Sequence, residues 1–471
     1  MRKKYFGDRA FYKMALTVSI PMMLQNFITN FVSLLDNFMV GAVGTEEMTA
    51  VSIINQILFV FNLVVFGALS GAGIFTAQYH GKKDEDGIRS TLRFKVGIGI
   101  LLTVLAVGML ILLDDQFIGL FIHDVDPHVD VEQTIRFSKE YLKIVLWGLA
   151  PFALASALSS TLRETEETLV PMLMGLAAVV TNCLFNYLLI FGKFGFPELG
   201  VRGAAIATVL SRYVEFGLLA VYCIKKRDRF RYFHGAFKSL RIPPAVMGQI
   251  ARKGLPLLFN EFFWSSGIAL IGSGYSLHGL SVVAGYSISS TVVNLFTIAF
   301  ISFGSAIGII IGKQLGANEF DQAVDSCRKL SVFAVLMSLG ITLIVLTVGY
   351  KVPMLYNTTV QSKDYAMYFI RVSALFFPFT AYANASYFTL RSGGKTGITI
   401  IYDSVFMMTI SVPAVYLLYY AAHLDIWKVY AIIQSLEILK CLIGFAFLRS
   451  GIWVRNIVST EPQGEQESCI S

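Results

Sequence analysis

The segment IPMMLQNFITNFVSLLDNFMVG, residues 20–41, has a counterpart in LPLLFNEFFWSSGIALIGSGYS, residues 255–276. Sliding the chain along itself by 235 residues lays one on the other without a gap, Ile20-Pro21 on Leu255-Pro256 and Phe27 on Phe262. The same offset pairs Gly44 with Gly279, Ser52-Ile53 with Ser287-Ile288, Gly73-Ile74 with Gly308-Ile309, Gly81 with Gly316 and Arg93 with Arg328. Apolar segments of similar composition align by chance, but the matched prolines, glycines and charged loop positions argue against chance here. Internal repeats in a hydrophobic chain build transporters from two bundles that rock about a central site. The repeat therefore predicts transport.

Hydrophobic residues make up 55% of the 471 and charged residues only 15%, against about 25% charged in soluble domains. Mean hydropathy is +0.65. Apolar runs of roughly 20 residues, long enough to cross a hydrocarbon core, recur about twelve times. They begin near Met14, Met48, Thr91, Phe137, Thr168, Gly200, Gly254, Val282, Ser326, Tyr365, Thr396 and Asp425. Continuous apolarity selects helices, because the strands of a membrane barrel alternate. The predicted fold class is an all-α integral membrane protein with twelve transmembrane helices. The cysteines, Cys183, Cys223, Cys327, Cys441 and Cys469, have no paired spacing and suggest neither a disulfide framework nor a metal site.

The net charge of +7 lies in alternate loops: before the first span and at 81–95, 225–241, 313–329, 391–395 and 449–455. The loops between them, 41–48, 114–132 and 351–363, are poor in basic residues, acidic or mixed. The positive-inside rule then puts both termini in the cytoplasm, and each half runs inside to inside. Two halves with one orientation are related by an axis along the membrane normal. The predicted organisation is a cytoplasmic N-terminus (1–13), an N-lobe (14–224), a basic cytoplasmic linker (225–250), a C-lobe (251–450) and a cytoplasmic tail (451–471). The linker's charge reads as a topology signal and a contact for lipid headgroups, so membrane lipids are expected partners and nucleic acid is not.

Polar residues interrupt the first span. Gln25, Thr29, Ser33 and Asp36 follow at spacings of three and four, with Asn26, Asn30 and Asn37 alongside, which makes a polar face. An ionised acid facing lipid costs about 3 kcal/mol on insertion scales, so Asp36 is a functional candidate. At a rise of 1.5 Å per residue Asp36 lies roughly 33 Å into its span, and Asn182 and Asn186 about 21 and 27 Å into the fifth. Thr208 is about 12 Å from the outer end of the sixth, so the four can share one level. A carboxylate among amide and hydroxyl oxygens suits a hard cation or a proton, and the residues leave sodium and proton both open. Glu261 and Asp403 each lie about 10 Å in from the other end and make a second polar cluster. Glu437, three residues before Lys440, reads as a helix-packing ion pair. Pro21 and Pro256 can bend the first span of each half.

These residues resemble the multidrug and toxic-compound extrusion (MATE) family over nearly the whole chain. The resemblance rests on Ile20-Pro21 running to Asp36 and Val40-Gly41, and on Pro171 through Asn182, Asn186 and Leu188-Leu189-Ile190-Phe191-Gly192 to Leu199-Gly200-Val201, Thr208 and Ser211-Arg212. Gly254-Leu255-Pro256 with Asn260-Glu261 and Leu390-Arg391-Ser392-Gly393-Gly394-Lys395-Thr396 before Asp403 resemble one bacterial branch. The resemblance implies two pseudo-symmetric six-helix lobes around a central V-shaped cavity, and export of drug-like compounds in exchange for sodium or protons. It implies a cation-binding or protonation site at Asp36, Asn182, Asn186 and Thr208. A second-lobe polar site is assigned to Glu261, Asp403, Asn260 and Tyr382, and Gln25, Asn26, Thr29, Asn37 and Trp264 are substrate-cavity candidates. Asn186 stands where some members have aspartate, and the tenth span reads Ala381-Tyr382-Ala383-Asn384 where some carry one.

The expectation is a secondary antiporter, not an enzyme, with no cofactor and no catalytic or metal residues. Its coupling ion is H+ or Na+, its substrate a small organic molecule, cationic or amphipathic, and its site a plasma membrane, of bacterial type, as a monomer. The rival is a lipid-linked oligosaccharide flippase of related fold, which needs a basic central cavity, and mid-membrane only Arg212 and Arg371 are candidates for that. A membrane-embedded transferase is the distant alternative.

Overall fold

The computed structural model describes residues 5–119, 130–239, 241–356 and 358–459, and the side chains of 31–35, 37, 38 and 45 lie outside that description. Within it the chain forms helices and no strand. The long helices are α1 (Arg9–Gly41), α2 (Thr45–Lys82), α3 (Glu85–Leu112), α4 (Val131–Glu164), α5 (Leu169–Ile190) and α6 (Val201–Lys225). They continue as α7 (Pro244–Ser276), α8 (Leu280–Gly316), α9 (Phe320–Thr347), α10 (Val360–Ser392), α11 (Thr396–Tyr420) and α12 (Ile426–Arg449). Among the described residues 11 helices, α2 to α12, are long and apolar enough to cross a membrane, and α1 has 33 residues. Every span start read from the sequence falls inside one of the twelve or on its N-cap.

Several helices begin well before their apolar run because polar flanks favour helix ends. Glu85 and Asp86 occupy the first turn of α3, where the helix dipole welcomes negative charge. Asp130 caps α4 by accepting from Gln133 N at 3.1 Å, and Thr359 caps α10 by accepting from Ser362 N at 3.2 Å.

The repeat survives at the level of elements. α7, α8 and α9 start at the positions that the sequence offset assigns from α1, α2 and α3. The offset then shortens, because the connection from α3 to α4 is longer than that from α9 to α10. An offset of 227, which carries the start of α5 to that of α11, lays Pro151 of α4 on Pro378 of α10, a second proline pair that a single fixed offset hides.

Contacts divide the chain into two compact units: Met1–Met23, Ala77–Asp84 and Ile250–Ser471, here the carboxyl unit, and Leu24–Thr76 with Glu85–Gln249, the amino unit. In the amino unit α6 packs on α4 and α5, over a core that includes Ile54, Val65, Tyr141 and Ala205. In it Lys95, counted above among loop charges, is fully buried on α3. It donates to Thr161 Oγ1 at 3.2 Å and to the Glu164 carboxylate, so an ion pair inside the unit replaces headgroup contact.

In the carboxyl unit α8 lies along α10, with Phe300, Phe303, Ile311 and Phe377 in the core. The end of α2 crosses the end of α8 at the repeat-related glycines. A Cβ on Gly81 would strike the backbone carbonyl of Lys313, and one on Gly316 the backbone of Gln78. Small residues permit this backbone approach in membrane helices. Residues 450–459 fold onto the same unit: Trp453 is buried, Gln78 Nε2 donates to Ser392 O at 2.9 Å and Arg455 O at 3.1 Å, and Ile457 N donates to Gln78 Oε1 at 2.8 Å.

Gly316→Ala or Gly81→Ala should lower the thermal unfolding temperature of the detergent-purified protein, at a cost of about 1–3 kcal/mol for overpacking. Gly340→Ala on α9, where a Cβ meets nothing within 4 Å, should leave it unchanged or raise it. Equal behaviour of the two sets would refute the close-approach account.

Candidate functional site

Two polar clusters lie inside the apolar helices, one in each unit. In the amino unit, the i, i+4 spacing of Asn182 and Asn186 on α5 points both amides at Asp36 on α1. Asn186 is 1% and Asn182 6% exposed. Asn186 Nδ2 donates to Asp36 Oδ1 at 2.7 Å. The Asn182 amide has two orientations of equal shape, between which hydrogen bonding decides. With its nitrogen toward α1, it donates to Asp36 Oδ1 at 2.8 Å and Oδ2 at 3.0 Å, which suits an ionised carboxylate. Reversed, its nitrogen reaches Thr208 Oγ1 of α6 at 3.5 Å and its oxygen accepts from Asn186 Nδ2 at 3.3 Å. That oxygen then faces the carboxylate, two acceptors in contact, which is favourable only when Asp36 carries a proton or a cation lies between them.

Buried Asn186 Oδ1 has no hydrogen-bond partner among the described residues. An unmatched buried acceptor costs about 1–3 kcal/mol, a cost that a bound cation or donor would offset. Two residues that the sequence reading did not assign to this cluster lie beside it. Tyr141 of α4, buried, lies beside the Thr208 hydroxyl. Arg212, one turn beyond Thr208, lies within electrostatic reach of Asp36 and Tyr141, and it pairs with Glu215 at 3.5 Å. A lone tyrosine in an apolar span carries no periodic signal, and only the packing of α4 on α6 reveals it.

The substrate-cavity candidates fare differently. Gln25 is half-buried, with Oε1 unmatched among the described residues and its amide against Gly175 of α5. Thr29 Oγ1 donates to Gln25 O at 2.9 Å, and Asn30 Nδ2 to Asn26 O at 2.8 Å, so these side chains turn back on their own helix. The side chains of Ser33 and Asn37 lie outside the described residues. Trp264, half-buried, sits one turn beyond Asn260 on α7.

In the carboxyl unit four helices meet at Asn260. Its Nδ2 donates to Tyr387 OH on α10 at 3.2 Å and to Asp403 Oδ2 on α11 at 3.1 Å, while Ser404 Oγ donates to Asn260 O and Oδ1, both at 2.7 Å. Lys440 of α12 donates to Asp403 Oδ1 at 2.5 Å. Asp403 and Ser404 sit in a π-helical stretch, Ile401–Val405, followed by a second, Met407–Ser411. Pro413 follows at once: it lacks an N–H and its ring would crowd the Thr409 carbonyl in a regular α-helix, a conflict that a widened turn relieves.

The sequence grouping changes in three respects. Ser386 Oγ donates to the Tyr382 backbone carbonyl at 2.9 Å on the same helix, and Tyr387 is the tyrosine that bonds Asn260. Glu261 is half-buried and makes no hydrogen bond among the described residues, although Arg391 and Asp403 are within electrostatic reach. Lys440, expected to serve Glu437, bonds Asp403 instead, and Glu437 stays within electrostatic reach.

Lys440→Met should cost about 3–5 kcal/mol by leaving Asp403 without its cation, read as a drop in thermal unfolding temperature. Asp403→Asn combined with Lys440→Met should recover most of it. A double variant as unstable as the single would show that the pair does not act as a unit.

Comparison with known proteins gives a context for both clusters. The family model described as MatE matches residues 21–188 and 256–417, one match in each repeat. A relative from Thermotoga maritima, "Probable multidrug resistance protein NorM", is 26% identical over 454 residues, covering 95% of this chain and 94% of its own. Among solved structures, a multidrug resistance MATE family transporter of the MOP superfamily in an outward-facing conformation superposes with a TM-score of 0.82 at 18% identity, over 95% of this chain and 96% of that one. A MOP superfamily transporter from Pyrococcus furiosus, described as having a binding pocket of reverse polarity that suggests a different function, gives 0.81 at 19% identity over 96% and 97%. With both halves of the chain matched and the twelve-helix fold shared, this multi-pass membrane protein belongs to the MatE family of transporters.

Proposed function

We propose that the chain is a secondary antiporter that exports organic, cationic or amphipathic compounds across the cell membrane by alternating access, in exchange for H+ or Na+. One observation supports the coupling: the Asp36 carboxylate lies against two buried amides, and the Asn182 amide also reaches the Thr208 hydroxyl at 3.5 Å. In the ionised state Asn182 and Asn186 both donate to the carboxylate. When a proton or sodium ion arrives, the Asn182 oxygen becomes the favourable neighbour, and its nitrogen turns to Thr208. Occupancy at Asp36 is thereby passed to α5 and α6.

The energy suffices. One charge moving inward across 100 mV releases about 2.3 kcal/mol, and each tenfold ion gradient adds about 1.4 kcal/mol. The multidrug resistance relatives support compound export. The flippase reading asks for free guanidinium groups in mid-membrane. Arg212 is paired with Glu215 and lies 4.9 Å from the Phe152 ring, and Arg371 lies 4.0 Å from that of Tyr350, which favours the antiporter. The reading includes both termini in the cytoplasm of a bacterial type of cell, and a monomer.

Proteoliposomes loaded with a panel of cationic dyes, under an imposed sodium or pH gradient, test this. Asp36→Asn should fold normally and lose gradient-driven efflux to background, and full efflux by that variant would remove Asp36 from the mechanism. Thr208→Val should weaken coupling by up to about tenfold, the worth of one hydrogen bond, without abolishing dye binding.

A further inference from the structure

The stretch that follows α6 folds back over the amino unit instead of running free. Arg89 Nη2 donates to Arg231 O at 2.9 Å, and Arg93 donates through Nε to Ala236 O at 2.6 Å and through Nη1 to Arg241 O at 3.0 Å. The hydroxyls of Tyr232 and Thr165 lie 2.9 Å apart, and the ring of Tyr232 packs on Phe230 and Phe233 at 5.8 and 4.7 Å. Ala236 is buried in the same apolar cluster as Leu158 and Leu219. Residues 230–239 and Arg241 therefore pack as part of the unit.

This fold-back closes a cavity of about 360 Å³, within the range of small-molecule sites. Its walls are apolar, Leu158 of α4, Ala220 of α6 and Phe237 of the fold-back among them, while Arg227, His234 and Lys238 also line it. Among the described residues neither Arg227 nor Lys238 has an acidic partner, whereas their neighbours Arg229 and Arg89 are matched by Glu167 at 2.8 Å and Asp86 at 2.5 Å. Phe237 is 51% and Ile224 65% exposed. An apolar interior with two unmatched cations on its lining fits an amphipathic anion. The cavity lies where α6, a membrane span, ends at Lys225, the level at which headgroups meet protein and basic pockets between helices recognise anionic lipid.

We propose that this cavity is a binding site for one anionic phospholipid of the adjoining leaflet. An acyl chain lies against Leu158, Ala220 and Phe237, and the phosphate is held by Arg227 and Lys238. The proposal needs the chain to span a membrane and is independent of what it transports.

The test uses the full chain in detergent, titrated with phosphatidylglycerol, phosphatidylcholine or inorganic phosphate and followed by native mass spectrometry and thermal unfolding. Phosphatidylglycerol should bind and raise the unfolding temperature, and the other two should not. Each juxtamembrane charge is worth roughly fivefold in affinity, so Arg227→Gln with Lys238→Gln should weaken phosphatidylglycerol binding about 25-fold. Ala220→Phe, which fills the cavity and leaves the charges in place, should remove one bound lipid. Lys225→Gln with Lys226→Gln removes as much charge beside the cavity and should weaken binding far less. The proposal is overturned by equal binding of phosphatidylcholine, by a stabilising response to phosphate alone, or by equal losses in the two charge pairs. It is also overturned if Ala220→Phe unfolds at the parent temperature and keeps its full lipid complement.

Discussion

The hydrogen bond from Asn186 Nδ2 to Asp36 Oδ1, at 2.7 Å, meets the severest demand that a membrane places on this chain. Hydrocarbon offers no water to an ionisable group, so a carboxylate in a span is stabilised by partners within the protein. The amino unit does so by bringing three helices to one carboxylate: α5 supplies paired amides, α6 a hydroxyl, and α1 the acid. Close packing of α6 on α4 and α5 allows this.

The two units answer the same demand differently on one scaffold. In the repeat, Asp36 falls opposite Ile271 and Glu261 opposite Asn26, so duplication of the backbone did not duplicate the charge pattern. Asp36 is bonded by neutral amides, with Arg212 within electrostatic reach. Asp403 instead meets the Lys440 ammonium, with Asn260 and Ser404 fixing the remaining atoms. A carboxylate that holds its counter-charge on a neighbouring helix gains little from a mobile cation, while one held by amides alone keeps that capacity.

Much of this was legible in the residues because the signals are local. Apolar runs gave the spans, and Asn182 with Asn186 gave a face by their spacing. What escaped depends on packing between distant segments. Lys95 reads as a loop charge until Glu164, a helix away, is seen beside it. Tyr387 and Tyr382 stand on one helix, and only the placement of α7 selects between them. The π-helical turns of α11 leave no periodic mark, although Pro413 hints at the crowding that they relieve. The second proline pair was hidden because the repeat offset changes in the α3–α4 connection.

Gln78 has one further implication, for the order in which the protein is made. Its side chain is bonded to Ser392, Arg455 and Ile457, all hundreds of residues later in the chain. A ribosome delivers α2 to the bilayer long before those partners exist, and domains generally fold as they emerge. During translation the Gln78 amide must keep its water, and the end of α2 must stay near the surface. The carboxyl unit is thus sealed only after residues 450–459 have been made, when Trp453 and Asn456 close over it.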